Sequence, residues 1–388
     1  MNAQIVVVGG GPVGLAFALA ASRSPGGLRG VDVTVVERGP VTSGPLPALF
    51  DHRVYALSPA SLALLQEIGA DLLQARMAPI RGMQVCGDDG KSKIDFNEGQ
   101  PLATIVEHVA VMQALHARLA KEGRVQIANG VSPFEMSSIA GNRRSLTLSD
   151  GRTLEADLLV AADGSRSQIR DWAGIATQTK DYESDGVVAN FRTERGHGDI
   201  ARQWFTGDSV LAYLPLPGNH VSIVWSVGKA ASTALPTDDP QAFCAAVMEA
   251  GQHSLGQLSL VSPVARFPLS RIMADSWVQP GLALIGDAVH AVHPLAGQGV
   301  NLGFADVRSM VSVLQGRSKF SAIGDIALLR RYERAGREAA WAVGEITDKL
   351  RALYLHDAAT ARWIRNDGLA MMNRLPAAKA MLINYASG

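Results

Sequence analysis

Two cysteines, Cys86 and Cys244, are all that the 388 residues carry. They lie far apart and in no CxxC or metal-ligand spacing, which argues against a disulfide framework and against zinc, and points to a reducing cytoplasm. Charge of one sign is missing as well: Lys plus Arg and Asp plus Glu both number 36, for a formal net charge of zero. There is no basic field and no interleaving of aromatic with basic residues to mark a nucleic-acid face. No run of about 18 uninterrupted apolar residues is available to span a bilayer. The first residues hold no basic n-region or cleavage site, so no signal peptide is expected. Internal repeats and low-complexity segments are also lacking.

What is present is a chain that is 47% hydrophobic and 19% charged, enough to bury a large core divided between two domains. An apolar strand at Ile5–Val8 runs into GGGPVG, from Gly9 through Gly11, Pro12 and Val13 to Gly14, and then into a small-residue helix, Leu15–Ala21. That is the context a dinucleotide fingerprint needs. The first glycine permits the strand-to-helix turn, the second lets backbone approach a pyrophosphate, and the third lets helix pack close to sheet. Phosphates then meet free amides and the positive end of a helix dipole. A second strand, Val33–Val36, ends in Glu37 and Arg38. An acidic side chain at that spacing accepts hydrogen bonds from an adenosine ribose and would repel a 2′-phosphate. Only one such fingerprint occurs, so a nicotinamide donor would have no dinucleotide domain of its own. NAD(P)H would visit transiently, or a separate reductase would supply electrons.

Two further glycine-centred motifs follow in order. VAADGSRSQIR, Val160–Arg170, ends an apolar strand in Asp163 and Gly164 and then offers hydroxyls and arginines. It suits a phosphate neighbourhood, and equally an ordinary strand end with a helix N-cap at Ser165. GDAVHAVHPLAGQGVNLG, Gly286–Gly303, ends a buried strand in Gly286 and Asp287, and an Asp there could accept from a ribityl hydroxyl. Pro294 then stiffens the backbone, and Gly297, Gln298 and Gly299, with Val300 and Asn301 after them, offer amides where a helix begins. A helix start beside a reduced flavin offers roughly 0.3 to 2 kcal/mol to its negative charge. His290 and His293 are spaced i, i+3, which suits packing as well as acid–base work; no metal set is expected. Together the three motifs describe one FAD touched from three places.

The organisation is discontinuous. Ser58–Ile68 reads as a helix with Ser58 as cap and Pro59 at its first position. Met83–Phe96 and Gly186–Val227 carry strand signals such as VLAYLPLP and HVSIVWSV. Val109–Leu119 is an amphipathic helix, Val125–Ile127 and Ser145–Leu148 read as short strands, and Asp150–Gly151 as a turn. After the strand ALIG, helices run from about Gly303 to the end. The expected fold class is α/β: a Rossmann-like FAD-binding domain of glutathione-reductase type, residues 1–75, 101–180 and 271–345. It is interrupted by an antiparallel-sheet substrate domain, residues 76–100 and 181–270, and followed by a C-terminal helical segment, 346–388.

These motifs resemble the aromatic-ring flavoprotein monooxygenases of the para-hydroxybenzoate hydroxylase fold. DHRVYALSP at Asp51–Pro59 and HPLAGQGVNLGFADV at His293–Val307 are similar to the ubiquinone-biosynthesis hydroxylases, as are RNDGL at Arg365–Leu369 and the terminal ASG. The resemblance covers nearly the whole chain. It implies FAD held by Gly9–Gly14, Glu37, Arg53, Asp163 and Asp287, with Pro294–Gly299 at the isoalloxazine. His108 falls where relatives often place an amide near the cofactor. The implied chemistry is that of a class A flavin monooxygenase: O2 is captured as a flavin C4a-hydroperoxide, which a phenol ring attacks. Tyr213 is the sequence candidate for the substrate wall, with a strand-packing aromatic as its alternative. The implied substrate is a polyprenylated phenol, with a complex of quinone-pathway proteins as a further partner.

Other classes stay open on the residues alone: a reductase of prenyl double bonds on the same fold, or a non-catalytic flavin-binding assembly or lipid-carrier protein. A flavin halogenase is disfavoured because no WxWxIP-like segment occurs. Between Arg362 and Ile383, apolar residues alternate with Arg365, Arg374 and Lys379, a composition that could lie on the inner face of a membrane or cover the cofactor domain instead.

Overall fold

Strand Ala3–Val8 is apolar on both faces from Ile5 onward because it lies at the centre of a covered parallel sheet. The computed structural model describes residues 2–355, apart from 24–27, 41–43, 87–92, 98–99, 139–141, 207–208, 293–298 and 319. The central sheet has six strands in the order Val278–Gln279, Leu282–Leu284, Leu158–Ala161, Ala3–Val8, Val31–Glu37 and Val125–Asn129. All neighbours are parallel except the first pair. Val8, Val36, Ala161 and Leu284 stand in register, so four strands end on one line.

The described helices are α1 (Pro12–Ser22), α2 (Pro59–Glu67), α3 (His108–Leu119), α4 (Gln168–Trp172), α5 (Lys229–Ala234), α6 (Pro240–Ala250), α7 (Gly299–Gln315) and α8 (Ile326–Leu355). In α1, every residue from Gly14 to Ser22 is buried, which is why AFALAA carries no polar stripe. Ser58 caps α2 by accepting from the Ser61 amide at 3.2 Å, as its sequence predicts. The α4 cap differs from expectation. Ser167, not Ser165, accepts from the Arg170 amide at 3.0 Å, because Asp163 draws the Ser167 hydroxyl into place at 2.6 Å. Helix α7 opens at Gly299, one turn before the expected start.

A second, larger sheet is built mainly of long antiparallel strands: Ala265–Ala274, Thr177–Thr193, His220–Gly228, Ser209–Leu216 and Ile200–Thr206. It is not wholly antiparallel, since Ile200–Thr206 pairs in parallel with Gly82–Cys86, which arrives from an earlier excursion of the chain. Its alternation splits it into two faces. Val187, Ala189, Phe191, Tyr213 and Ile223 pack with Phe243 and Val247 of α6. On the opposite face Leu214, Leu216 and Ala201 meet Ala78, Ile80 and Ile105, so this face turns toward the cofactor sheet. The strand Pro133–Ser138, which carries no clear periodicity, completes a meander with Arg144–Leu148 and Thr153–Ala156. Helix α8 joins the two sheets: Glu333 accepts from the Trp277 amide at 2.9 Å, and Asp348 binds Arg271 and Lys180, each at 3.0 Å. Among the described residues, no helix is long and apolar enough to cross a membrane.

Candidate functional site

Ligands of open α/β sheets bind beyond the carboxyl ends of the strands, and here all three motifs and Glu37 gather on that edge. Gly9 has φ of +106°, and a Cβ there would stand 2.3 Å from the Ala162 carbonyl oxygen, so the two strand ends approach as only glycine allows. A Cβ on Gly14 would stand 2.0 Å from the Gly9 oxygen, which is the close packing of α1 on its own turn. Gly11 is different: nothing lies within 4 Å of where its Cβ would be, and the same holds at Gly164 and Gly299. One glycine from each motif therefore faces open space. Helix α1 makes its first bond from the Leu15 amide to the Gly11 oxygen at 3.0 Å and has no side-chain cap, leaving the amides of its first turn for an anion.

The motifs also hold one another. Val13 packs against Gly286 and Gly303, where a Cβ would come within 3.2 and 2.5 Å of its methyls. The Glu37 carboxylate accepts from the Gly10 amide at 2.5 Å and the Gly39 amide at 2.7 Å. Since a carboxylate offers about four lone-pair sites, capacity for a ribose hydroxyl remains. Arg38 is exposed. Asp163 accepts from the Ser167 hydroxyl and, at 3.2 Å, from the Ile169 amide; burial pushes its carboxyl up, opposed by these bonds. Arg170 is buried and donates to Ala288 and Ser165 carbonyls at 3.1 and 3.0 Å, so it ties the second motif to the third instead of meeting a phosphate.

Asp287 stands in a one-turn 3₁₀ segment, Gly286–Ala288, and is open to solvent. Surrounding protein nonetheless pushes its carboxyl up, against the charges of His290 and Arg53. Arg53 is itself exposed and is brought to the site by the bond from the His108 amide to its carbonyl, 2.8 Å. His290 is 1% exposed, with Nε2 2.9 Å from Asp306 Oδ2 and its ring 5.3 Å from that of Trp277. It is a packed residue behind the site. Asn301 uses its side chain within the fold: it accepts from the Ser58 amide and Ser61 hydroxyl at 3.1 and 2.7 Å and donates to Ala56 at 2.8 Å. Val300 is buried in the first turn of α7. Pro294, Gly297, Gln298 and His293 lie outside the described residues. Among those described, no group of His, Cys, Asp and Glu could hold a metal.

Tyr213 requires a correction. It is 1% exposed on the α6 face, and its hydroxyl donates to the Val247 carbonyl at 2.7 Å, so it packs the sheet against α6 and does not line the side turned to the cofactor sheet. The site also contains a clamp not foreseen from the sequence. Glu107 is fully buried and accepts from the Asp51 amide at 2.5 Å and from Arg76 at 2.5 and 2.7 Å. Arg76 also donates to Pro47 and Leu49 carbonyls, and Asn190 of the large sheet donates to those of Phe50 and Asp51 at 3.0 and 2.9 Å. The available signal was a carboxylate ending the apolar run ATIVE just before a helix.

These residues fit FAD: open glycines from three motifs, a bare helix start, and acidic side chains at the ribose and ribityl positions. A family model described as FAD binding domain matches residues 2–347. Ubiquinone hydroxylase UbiL of Rhodospirillum rubrum is 33% identical over 398 residues, spanning 100% of this chain and 90% of that protein. The 3-demethoxyubiquinol 3-hydroxylase of Escherichia coli is 33% identical over 402 residues, spanning 99% and 98%. Among solved structures, Klebsiella pneumoniae HpxO complexed with FAD and uric acid matches with a TM-score of 0.77 at 19% identity, over 100% of this chain and 97% of that one. That likeness speaks for the fold.

Proposed function

This chain belongs to the FAD binding domain family and, within it, to the ubiquinone-biosynthesis hydroxylases, and from that premise we propose that it is an FAD-dependent aromatic monooxygenase. It inserts one oxygen atom from O2 into a phenolic, polyprenylated ubiquinone precursor. The observation that carries this reading is the meeting of three motifs and Glu37 at the ends of in-register strands, with one open glycine in each motif.

When bound, the cofactor supplies the activation of O2, with one oxygen going to the ring and the other to water. The chain's own residues bind, orient and shield. The α1 turn at Gly11 would take the pyrophosphate, Glu37 the ribose, and Asp287 the ribityl chain. The N-terminus of α7 would offer positive potential to a negatively charged part of the cofactor. The large sheet turns an uncharged strip, Val188, Val224 and Ala212, to the cofactor side, which supports a neutral, apolar aromatic substrate and a chamber poor in water. NAD(P)H or a separate reductase supplies the electrons.

The reading extends to a cytoplasmic protein that meets its substrate at the membrane through residues 362–383. Its support is the alternation of apolar and basic residues there. Full-length chain is expected to float with anionic liposomes and a folded chain ending at Ala361 to float less; equal flotation would remove this part.

Quinone-intermediate profiling of a strain lacking this protein tests the main reading. A phenolic precursor one hydroxyl short should accumulate and disappear when the gene is restored. An unchanged quinone pool would overturn it.

A further inference from the structure

Tyr55 and His108 face each other across the first cofactor segment. The Tyr55 hydroxyl lies 2.7 Å from His108 Nδ1, and the rings meet edge to face at 5.7 Å and 77°. Backbone fixes the pair. Val54 and Tyr55 run antiparallel to Glu107 and Val106, and the His108 amide bonds to the Arg53 carbonyl at 2.8 Å. His108 is the first residue of α3, directly after the fully buried Glu107, so the clamp holds the backbone that carries it.

The direction of this bond follows from the protons available. Burial raises the Tyr55 phenol to about 12, so it keeps its proton near neutrality. Burial, with the Arg53 charge, lowers the His108 imidazole to about 4, so it is neutral. The other charged or titratable groups that bear on the pair are Asp51, Asp287 and His116. Among the described residues His108 Nδ1 is the one acceptor within hydrogen-bond distance of the Tyr55 hydroxyl, so the phenol's single proton is directed to it. An imidazole that accepts at Nδ1 and is neutral carries its hydrogen on Nε2. The ring is half-buried, and among the described residues Nε2 has no hydrogen-bond partner.

We propose that Tyr55 locks His108 in the Nε2–H tautomer, making it a fixed, uncharged N–H donor to an acceptor oxygen of the bound cofactor. The pair combines the chemistry of a side-chain amide with the rigidity of a ring held at both ends. It rests on the reading that FAD occupies this cleft. His108 is the binding residue and Tyr55 the positioning residue.

The test has two parts. Nitrogen NMR of the histidine-labelled wild type at about pH 7 should find His108 neutral with hydrogen on Nε2. A proton on Nδ1, or a charged ring, overturns the lock without reference to FAD. FAD dissociation constants then complete a double-mutant cycle on variants whose folding is checked by circular dichroism. His108→Leu should weaken FAD about tenfold, and Tyr55→Phe about threefold to tenfold, the loss of about one aligned hydrogen bond. His108→Asn should stay within about threefold of wild type, and adding Tyr55→Phe to it should change nothing further. Equal weakening by Tyr55→Phe in both backgrounds overturns the proposal. A wild type that binds no FAD overturns the reading of the cleft, a result distinct from the tautomer measurement.

Discussion

Asp306 and His290 form a charge contact of 2.9 Å sealed behind the loop that carries Asp287, and the same carboxylate oxygen accepts from the Gly286 amide at 2.8 Å. The contact ties His290 to the turn that carries Asp287. His290 has its pKa raised: burial works against the charged ring, and the Asp306 charge overcomes it. Its stabilisation is therefore complete below the unfolded histidine value of about 6.5 and is lost as pH climbs through the higher folded value. Urea unfolding across that window should find stability falling with pH. Asp306→Asn keeps an acceptor for Gly286 but removes the charge; it should cost about 3–5 kcal/mol at low pH and flatten the dependence.

The glycines of the first motif separate folding from binding. Gly9→Ala introduces a Cβ 2.3 Å from the Ala162 oxygen at a φ of +106° and should fail to fold or lose several degrees of melting temperature. Gly11 has φ of −71° and open space at its Cβ position. Gly11→Ala should leave the cofactor-free protein within about 0.5 kcal/mol of wild type while weakening FAD binding. Calorimetry with and without FAD distinguishes the two.

Glu107→Ala leaves the partly buried Arg76 without its carboxylate and frees the Asp51 amide, so a loss of about 3 kcal/mol is expected. Glu107→Gln keeps one acceptor oxygen, enough for the Asp51 amide and one Arg76 nitrogen, and should lose less. In both, FAD retention on gel filtration should fall, because the segment that leads to Arg53 is no longer held.

Tyr213→Phe removes one hydrogen bond to a carbonyl that also accepts from the Gly251 amide. A loss of about 1 kcal/mol with turnover unchanged is expected. A large fall in turnover at full stability would return Tyr213 to the substrate wall.

The cofactor half of the fold was legible because its signals are local. Ile5–Val8, the glycines that follow and the Ser58–Pro59 cap each declare an element within a few residues. Glu37 was legible by spacing alone. Long-range contacts were not. Nothing near Glu107 in the chain announces Arg76 thirty-one positions earlier, and Asn190 reaches Asp51 only because two sheets meet. Tyr213 misled for a related reason: in a strand, side is set by register, and VLAYLPLP is apolar on both faces, so alternation could not tell the α6 face from the cofactor face. Asn301 and Arg170 carried motif positions suited to ligands, yet their polar atoms satisfy buried carbonyls, amides and hydroxyls of other segments.

The most direct measurement follows the oxygen atom. FAD-loaded protein, supplied with reductant, a polyprenylated phenol precursor and isotopically heavy O2, should yield a product with one additional ring hydroxyl whose oxygen is heavy. A hydroxyl drawn from water, or reduction of a prenyl double bond with no oxygen gained, would contradict the monooxygenase assignment.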